Sequence, residues 1–97
     1  MNRAKILRAL SSNVEPIEKQ FGVRAISLFG PAARDEWRKG AEIDVLVEFT
    51  GIPTFDRYMD LKLFLEELFG ASVALLSVDA VKPRMWPTIE RGLINVS

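Results

Sequence analysis

The sequence predicts an α/β (α+β) domain, a small mixed β-sheet with helices packed on it. Three observations predict it. Apolar residues at helical spacing open the chain: Ile6, Leu10, Val14, Ile17 and Phe21 recur every three or four positions. A segment of strict apolar–polar alternation runs from Glu42 to Phe49. Further apolar runs are separated by a helical pattern, with glycine or proline at the joints. Ninety-seven residues, without a linker or repeat, predict one domain, 1–97.

The elements follow in order. Pro16 interrupts the opening helical pattern, and proline is tolerated only in a first turn. The pattern is therefore read as one helix ending near Ser11 and a second capped by Asn13 and closed at Gly22. Ala25 to Phe29 reads as a buried strand, stopped by Gly30-Pro31, and a short helix is expected from about Ala32 to Arg38. From Glu42 to Phe49, Ile43, Val45, Val47 and Phe49 point one way. Glu42, Asp44, Leu46 and Glu48 point the other, giving a strand with one apolar and one mostly acidic face. Thr54 caps a helix to Phe69, ended by Gly70. Ser72 to Val78 is an apolar strand, a short helical stretch runs from Pro87 to Arg91, and Leu93 to Val96 reads as an edge strand.

Composition narrows the chemistry. Thirteen basic and thirteen acidic residues balance, so bulk charge gives no direct signal for nucleic acid or an anionic membrane. The 48% hydrophobic fraction suits a packed domain. No cysteine is present, which excludes disulfides and thiolate metal sites. No histidine is present either, which removes the commonest general base, the Ser-His-Asp triad and imidazole-ligated zinc. Catalysis would have to run on carboxylates, hydroxyls, lysine or arginine. No run approaches the roughly 20 apolar residues of a membrane span, and the N-terminus lacks a signal-peptide pattern, so a cytoplasmic chain is expected.

Two local patterns carry candidate chemistry. Glu42 and Asp44, two apart on one strand, project from the same face about 6.6–7 Å apart. Like charges so placed repel unless a cation or solvent compensates. They suit Mg²⁺, a hard ion that accepts oxygen ligands and leaves room for phosphate oxygens. They equally suit a solvated strand face with Arg34, Arg38 and Lys39 as ion-pair partners. Gly30-Pro31, between a strand and a helix, is placed to meet a phosphate. It also serves as a plain turn, proline being a good first helical residue that supplies no N–H.

Together these patterns make a constellation: a strand, a Gly-x-Ala-Ala-Arg turn, a short helix, then Glu-Ile-Asp on a neighbouring strand. It resembles the minimal nucleotidyltransferase family, the MntA-like antitoxins related to DNA polymerase beta. The family pattern of Gly-Ser-x-Ala-Arg-Gly followed by Ser-Asp-x-Asp-Leu-x-Val is met by Gly30-Pro31-Ala32-Ala33-Arg34-Asp35 and Ala41-Glu42-Ile43-Asp44-Val45-Leu46-Val47. Phe21-Gly22-Val23, Phe69-Gly70-Ala71-Ser72-Val73 and Val81-Lys82-Pro83 extend the likeness over nearly the whole chain. The resemblance implies ATP held at Gly30, Pro31 and Arg34, with Glu42 and Asp44 as catalytic and Mg²⁺-binding carboxylates. It also implies a HEPN-type ribonuclease toxin as partner, silenced by binding and by transfer of AMP to a tyrosine.

The departures from the family pattern bear on function. Pro31 stands where the family serine meets the phosphates, and Glu42 replaces the first aspartate. Asp35 replaces a glycine, and Ala74 occupies the position of the third carboxylate. Two-metal phosphoryl transfer needs carboxylates to hold both ions and one to activate the attacking hydroxyl. Asp79, five residues past Ala74, would fall on the opposite face of a strand, and Glu48 lies too far down the strand from Asp44. The expectation is a binding antitoxin or pseudoenzyme with a degenerate Mg-ATP site. The alternative is an active nucleotidyltransferase that passes AMP to a protein tyrosine.

The helix from Thr54 to Phe69 suggests a docking surface. Phe55, Tyr58, Leu61, Leu65, Leu68 and Phe69 form its core stripe, and Met59, Leu63 and Phe64 widen the apolar arc on both flanks. Either the Pro83–Arg91 segment covers that arc, or a partner or second copy of the chain does. Trp37 and Trp86 serve either reading.

Overall fold

A computed structural model describes residues 1–97. Helix α1 (Arg3–Ser12) starts where Asn2 Oδ1 accepts from the Lys5 N–H, and it buries Ile6 and Leu10. Asn13 stands at the N-cap of the second helix, as the sequence predicts, and its carbonyl accepts from the Ile17 N–H, but its side chain turns the other way. It closes α1, its side-chain amide donating to the Ala9 carbonyl at 2.8 Å, and gives α2 (Val14–Phe21) no side-chain bond. Pro16 falls in the first turn of α2, where no backbone bond is lost.

Strand β1 (Val23–Phe29) begins two residues before its predicted start. A bulge between Val23 and Ala25 breaks the alternation that would have revealed it. Next, α3 (Gly30–Ala33) is a single turn and not the predicted helix to Arg38. Asp35 stops it by taking φ +61, the one non-glycine residue in the left-handed region. The Asp35 carboxylate accepts from the Arg3 N–H at 3.1 Å, which ties this turn to the start of α1. Trp37 then closes the following loop, its indole N–H donating to the Ala41 carbonyl at 2.9 Å.

Strand β2 (Ile43–Phe49) pairs antiparallel with β1. Helix α4 (Phe55–Phe69) crosses over to β3 (Val73–Ser77), which lies parallel to β2. Two 3₁₀ turns (Val78–Ala80 and Pro83–Met85) and α5 (Trp86–Glu90) lead to β4 (Ile94–Asn95), antiparallel to β1. The result is the small mixed sheet that the sequence predicts, with four strands in the order β3-β2-β1-β4.

One face of the sheet carries the core. Ile26, Leu28, Ile43, Val45, Val47 and Val73 are fully buried together with Ile6, Leu10 and Ile17 and with Leu61 and Leu65 of α4. Each such side chain contributes about 1.5–3 kcal/mol relative to exposure. The face bearing Asp44 and Glu48 is partly covered as well, since Leu46 and Ser27 on it are buried.

Thr54 caps α4 by accepting from the Arg57 N–H, and Gly70 ends it at φ +65. Leu61, Leu65 and Phe69 form the buried stripe, but Phe55, the first helical residue, is 75% exposed at the rim of a hollow beside β3. Phe64 rests on Phe21, ring centroids 5.3 Å apart, so one flank of the arc is covered by α2. The covering of α4 comes from α1, α2 and β3. Trp86 of the Pro83–Arg91 segment instead borders a hollow that Leu46 also lines, on the opposite face of the sheet.

Strand β3 is an outer strand. Ser72 turns its carbonyl to β2, bonding the Ile43 N–H, so Val73, Leu75 and Ser77 turn their backbone groups outward. Two of those outward groups are occupied by side chains of α4. Glu66 accepts from the Val73 N–H at 2.9 Å, and the Tyr58 hydroxyl donates to the Leu75 carbonyl.

Candidate active site

The end of β1 lies beside the start of β2, with Phe29 opposite Asp44. The chain then turns at Gly30, which has φ +70. A Cβ at Gly30 would overlap the Asp44 carboxylate and stand 3.1 Å from its Cγ. Glycine is therefore required twice here, for the backbone conformation and for the approach of the acid. Pro31 sits at the start of α3, and its carbonyl accepts from the N–H groups of Arg34 (3.1 Å) and Glu36 (2.8 Å), which fixes the turn.

Glu42 stands one residue before β2 and not in it as predicted; it is solvent-exposed. Its charge still reaches Asp44. Burial pushes the Asp44 carboxyl above its ordinary range, Glu42 pushes it further, and the Arg34 guanidinium pulls it back. Arg34 pairs with Glu36 at 2.9 Å, and its stem passes close over Gly92. The solvated-face reading named Arg34, Arg38 and Lys39 as ion-pair partners, and Glu42 is open to solvent as that reading has it. The four ion pairs of the molecule lie elsewhere: Lys19–Glu15, Arg24–Glu48, Arg34–Glu36 and Lys62–Glu66.

On the other side of Asp44, in register on β3, stands Ala74. No three carboxylates gather anywhere in a way that would hold a metal ion. Glu48 lies four residues along β2 and is engaged with Arg24 at 3.7 Å. Asp79 is not on the strand at all. Strand β3 stops at Ser77, about 10 Å along the strand from Ala74, and Asp79 sits in the 3₁₀ turn beyond it. Gly30, Arg34, Glu42 and Asp44 thus come together. Sequence reasoning missed the buried Ser27, whose hydroxyl donates to Asn95 Oδ1 at 2.8 Å on the same sheet face. Its place on β1, two residues before Phe29, was the available signal.

A mixed sheet that sets a glycine turn against an acid on the adjoining strand is the architecture of a nucleotidyltransferase domain. The family model described as nucleotidyltransferase domain matches residues 4–94, and the chain belongs to that family. It is 31% identical over 87 residues to the protein adenylyltransferase MntA of Thermococcus cleftensis, covering 90% of this chain and 88% of that one. A solved structure described as a minimal nucleotidyltransferase superposes with a TM-score of 0.80 at 32% identity, over 97% of this chain and 95% of that one. The Shewanella oneidensis tri-AMPylated HEPN toxin in complex with MNT antitoxin gives a TM-score of 0.67 at 12% identity, over 94% and 71%. At that identity the likeness is one of fold.

Proposed function

We propose that this chain is an antitoxin-like member of the family that binds a HEPN-type toxin and holds Mg-ATP at a site too poor in carboxylates for efficient AMP transfer. The observation that carries this reading is Ala74 beside Asp44. AMP transfer needs the acceptor hydroxyl to lose its proton as its oxygen bonds to the α-phosphorus and the bond to pyrophosphate breaks. A methyl group at residue 74 can neither take that proton nor hold a second ion.

The residues fit one divalent cation. Asp44 lacks an ion-pair partner, and the Glu42 charge next to it raises its proton affinity, a repulsion that a cation relieves. Asp44 and Glu42 would hold Mg²⁺, with water and phosphate oxygens as the remaining ligands. When bound, the ion supplies charge neutralisation at the phosphates. Arg34, already close enough to act on Asp44, adds positive charge on the same side. Pro31 contributes the shape of the turn and no donor.

The partner is supported by fold likeness to a chain of the HEPN toxin–MNT antitoxin complex and to a chain of a toxin–antitoxin structure with AMP-PNP, the latter with a TM-score of 0.70 at 16% identity. A second reading, an active transferase of AMP to a protein tyrosine, is favoured by the kept Gly30–Asp44 contact. The two separate in one experiment. The purified chain is titrated with Mg-ATP by calorimetry beside Asp44→Ala, then incubated with labelled ATP and a HEPN-type toxin protein. Binding lost in Asp44→Ala, complex formation and little label transfer support the first reading. Rapid transfer to a tyrosine supports the second.

A further inference from the structure

The sheet face that carries Asp44 continues into a hollow of about 270 Å³. Its floor is Leu46, one strand period from Asp44 (about 7 Å). Trp86 forms one wall, and the Ser27–Asn95 pair and Glu48 supply its polar groups. The nucleotide reading above uses none of these residues. The hollow is too small for a whole nucleotide and suits one flat ring system.

We propose that this hollow is the base subsite of the nucleotide, taking an adenine ring against Trp86. The inference rests on the reading of Asp44 as the phosphate end of an ATP site. Four features argue for it. The separation from Asp44 is one a ribose spans. An indole offers a stacking face to any base, while Leu46 supplies apolar contact beneath. Because Ser27 donates to Asn95 Oδ1, the Asn95 amide is left to donate its N–H groups to a ring nitrogen. Glu48, held only loosely by Arg24 at 3.7 Å, accepts from an exocyclic amine and repels a keto oxygen, which sets adenine above hypoxanthine.

The test is calorimetry on the full chain with Mg-ATP and with Mg-triphosphate, which carries phosphates without a base. ATP is expected to bind about tenfold tighter or more, the usual worth of a stacked base. Trp86→Ala should erase that margin and Trp86→Phe should keep most of it, with triphosphate binding equal in all three proteins. In a Trp37→Phe background, where Trp86 is the sole indole, ATP should change the fluorescence and triphosphate should not. Equal binding of ATP and triphosphate to the wild type overturns the base subsite and leaves the phosphate end standing. So does an ATP margin untouched by Trp86→Ala. Failure of both ligands to bind overturns the nucleotide reading and the subsite with it.

Discussion

Asp44 and Ala74 stand side by side on neighbouring parallel strands, so the methyl group of one chain position borders the carboxylate of the other. That adjacency makes the depleted site repairable by one substitution. Ala74→Asp would set a second acid beside Asp44 without moving the backbone. AMP transfer to a partner should rise by about 10²–10⁴-fold, the usual worth of a placed general base. The same variant should melt lower than wild type in EDTA and recover on adding Mg²⁺, because like charges on facing positions repel. Unchanged transfer with intact folding would count against the assignment of residue 74 as the missing acid.

Asp44 itself gives a pH signature. Its carboxyl titrates above the ordinary range through burial first and then the Glu42 charge, with Arg34 opposing. The folded state therefore holds this proton more tightly than the unfolded state does. Its contribution favours folding at low pH and is lost as pH rises from the ordinary aspartate range through the raised value. Asp44→Asn should be more stable than wild type at neutral pH, with the gap closing below about pH 4. Melting temperatures from pH 3 to 8 check this, and a gap that widens on acidification would contradict it.

Gly30 separates backbone strain from overlap. Gly70 has nearly the same conformation, φ +65 against +70, but open space where a Cβ would go. Alanine at either position costs about 1–2 kcal/mol for the left-handed backbone. Gly30→Ala should cost more than Gly70→Ala in urea unfolding, and it alone should weaken Mg-ATP binding, since it displaces the Asp44 carboxylate.

Tyr58→Phe removes the hydroxyl that bonds the Leu75 carbonyl and should cost about 0.5–1.5 kcal/mol. Combined with Glu66→Ala, it removes both side-chain hydrogen bonds from the outer border of β3. Light scattering of the double variant should show association at concentrations where wild type shows less.

The fold was legible because period decides it. The alternation from Ile43 to Phe49 and the helical spacing from Ile6 to Phe21 each admit one placement of the core. Glycines at 22 and 70 marked two helix ends correctly. Local exceptions went unseen. The start of β1 was hidden by a bulge. The stop of α3 depended on a left-handed Asp35 held by the distant Arg3 N–H, which no local pattern encodes. Phe55 was placed in the stripe by spacing yet is the first residue of the helix and stays exposed. At the site, the neighbours Gly30 and Asp44 were foreseen from motif and spacing. The hollow by Trp86 was not, because its walls come from residues 25–48 and 78–95, far apart in sequence.

The border of β3 has a further consequence. Glu66 and Tyr58 already satisfy the Val73 N–H and the Leu75 carbonyl, so a donor strand laid along this edge must first evict both. Sheet extension across two chains is thereby discouraged where a parallel strand would otherwise invite it. Any complex formed on that flank has to be assembled by side-chain contacts, and its selectivity then depends on surface residues such as Phe55, which lines a hollow with Leu75 and Leu76 and which a single mutation can retune.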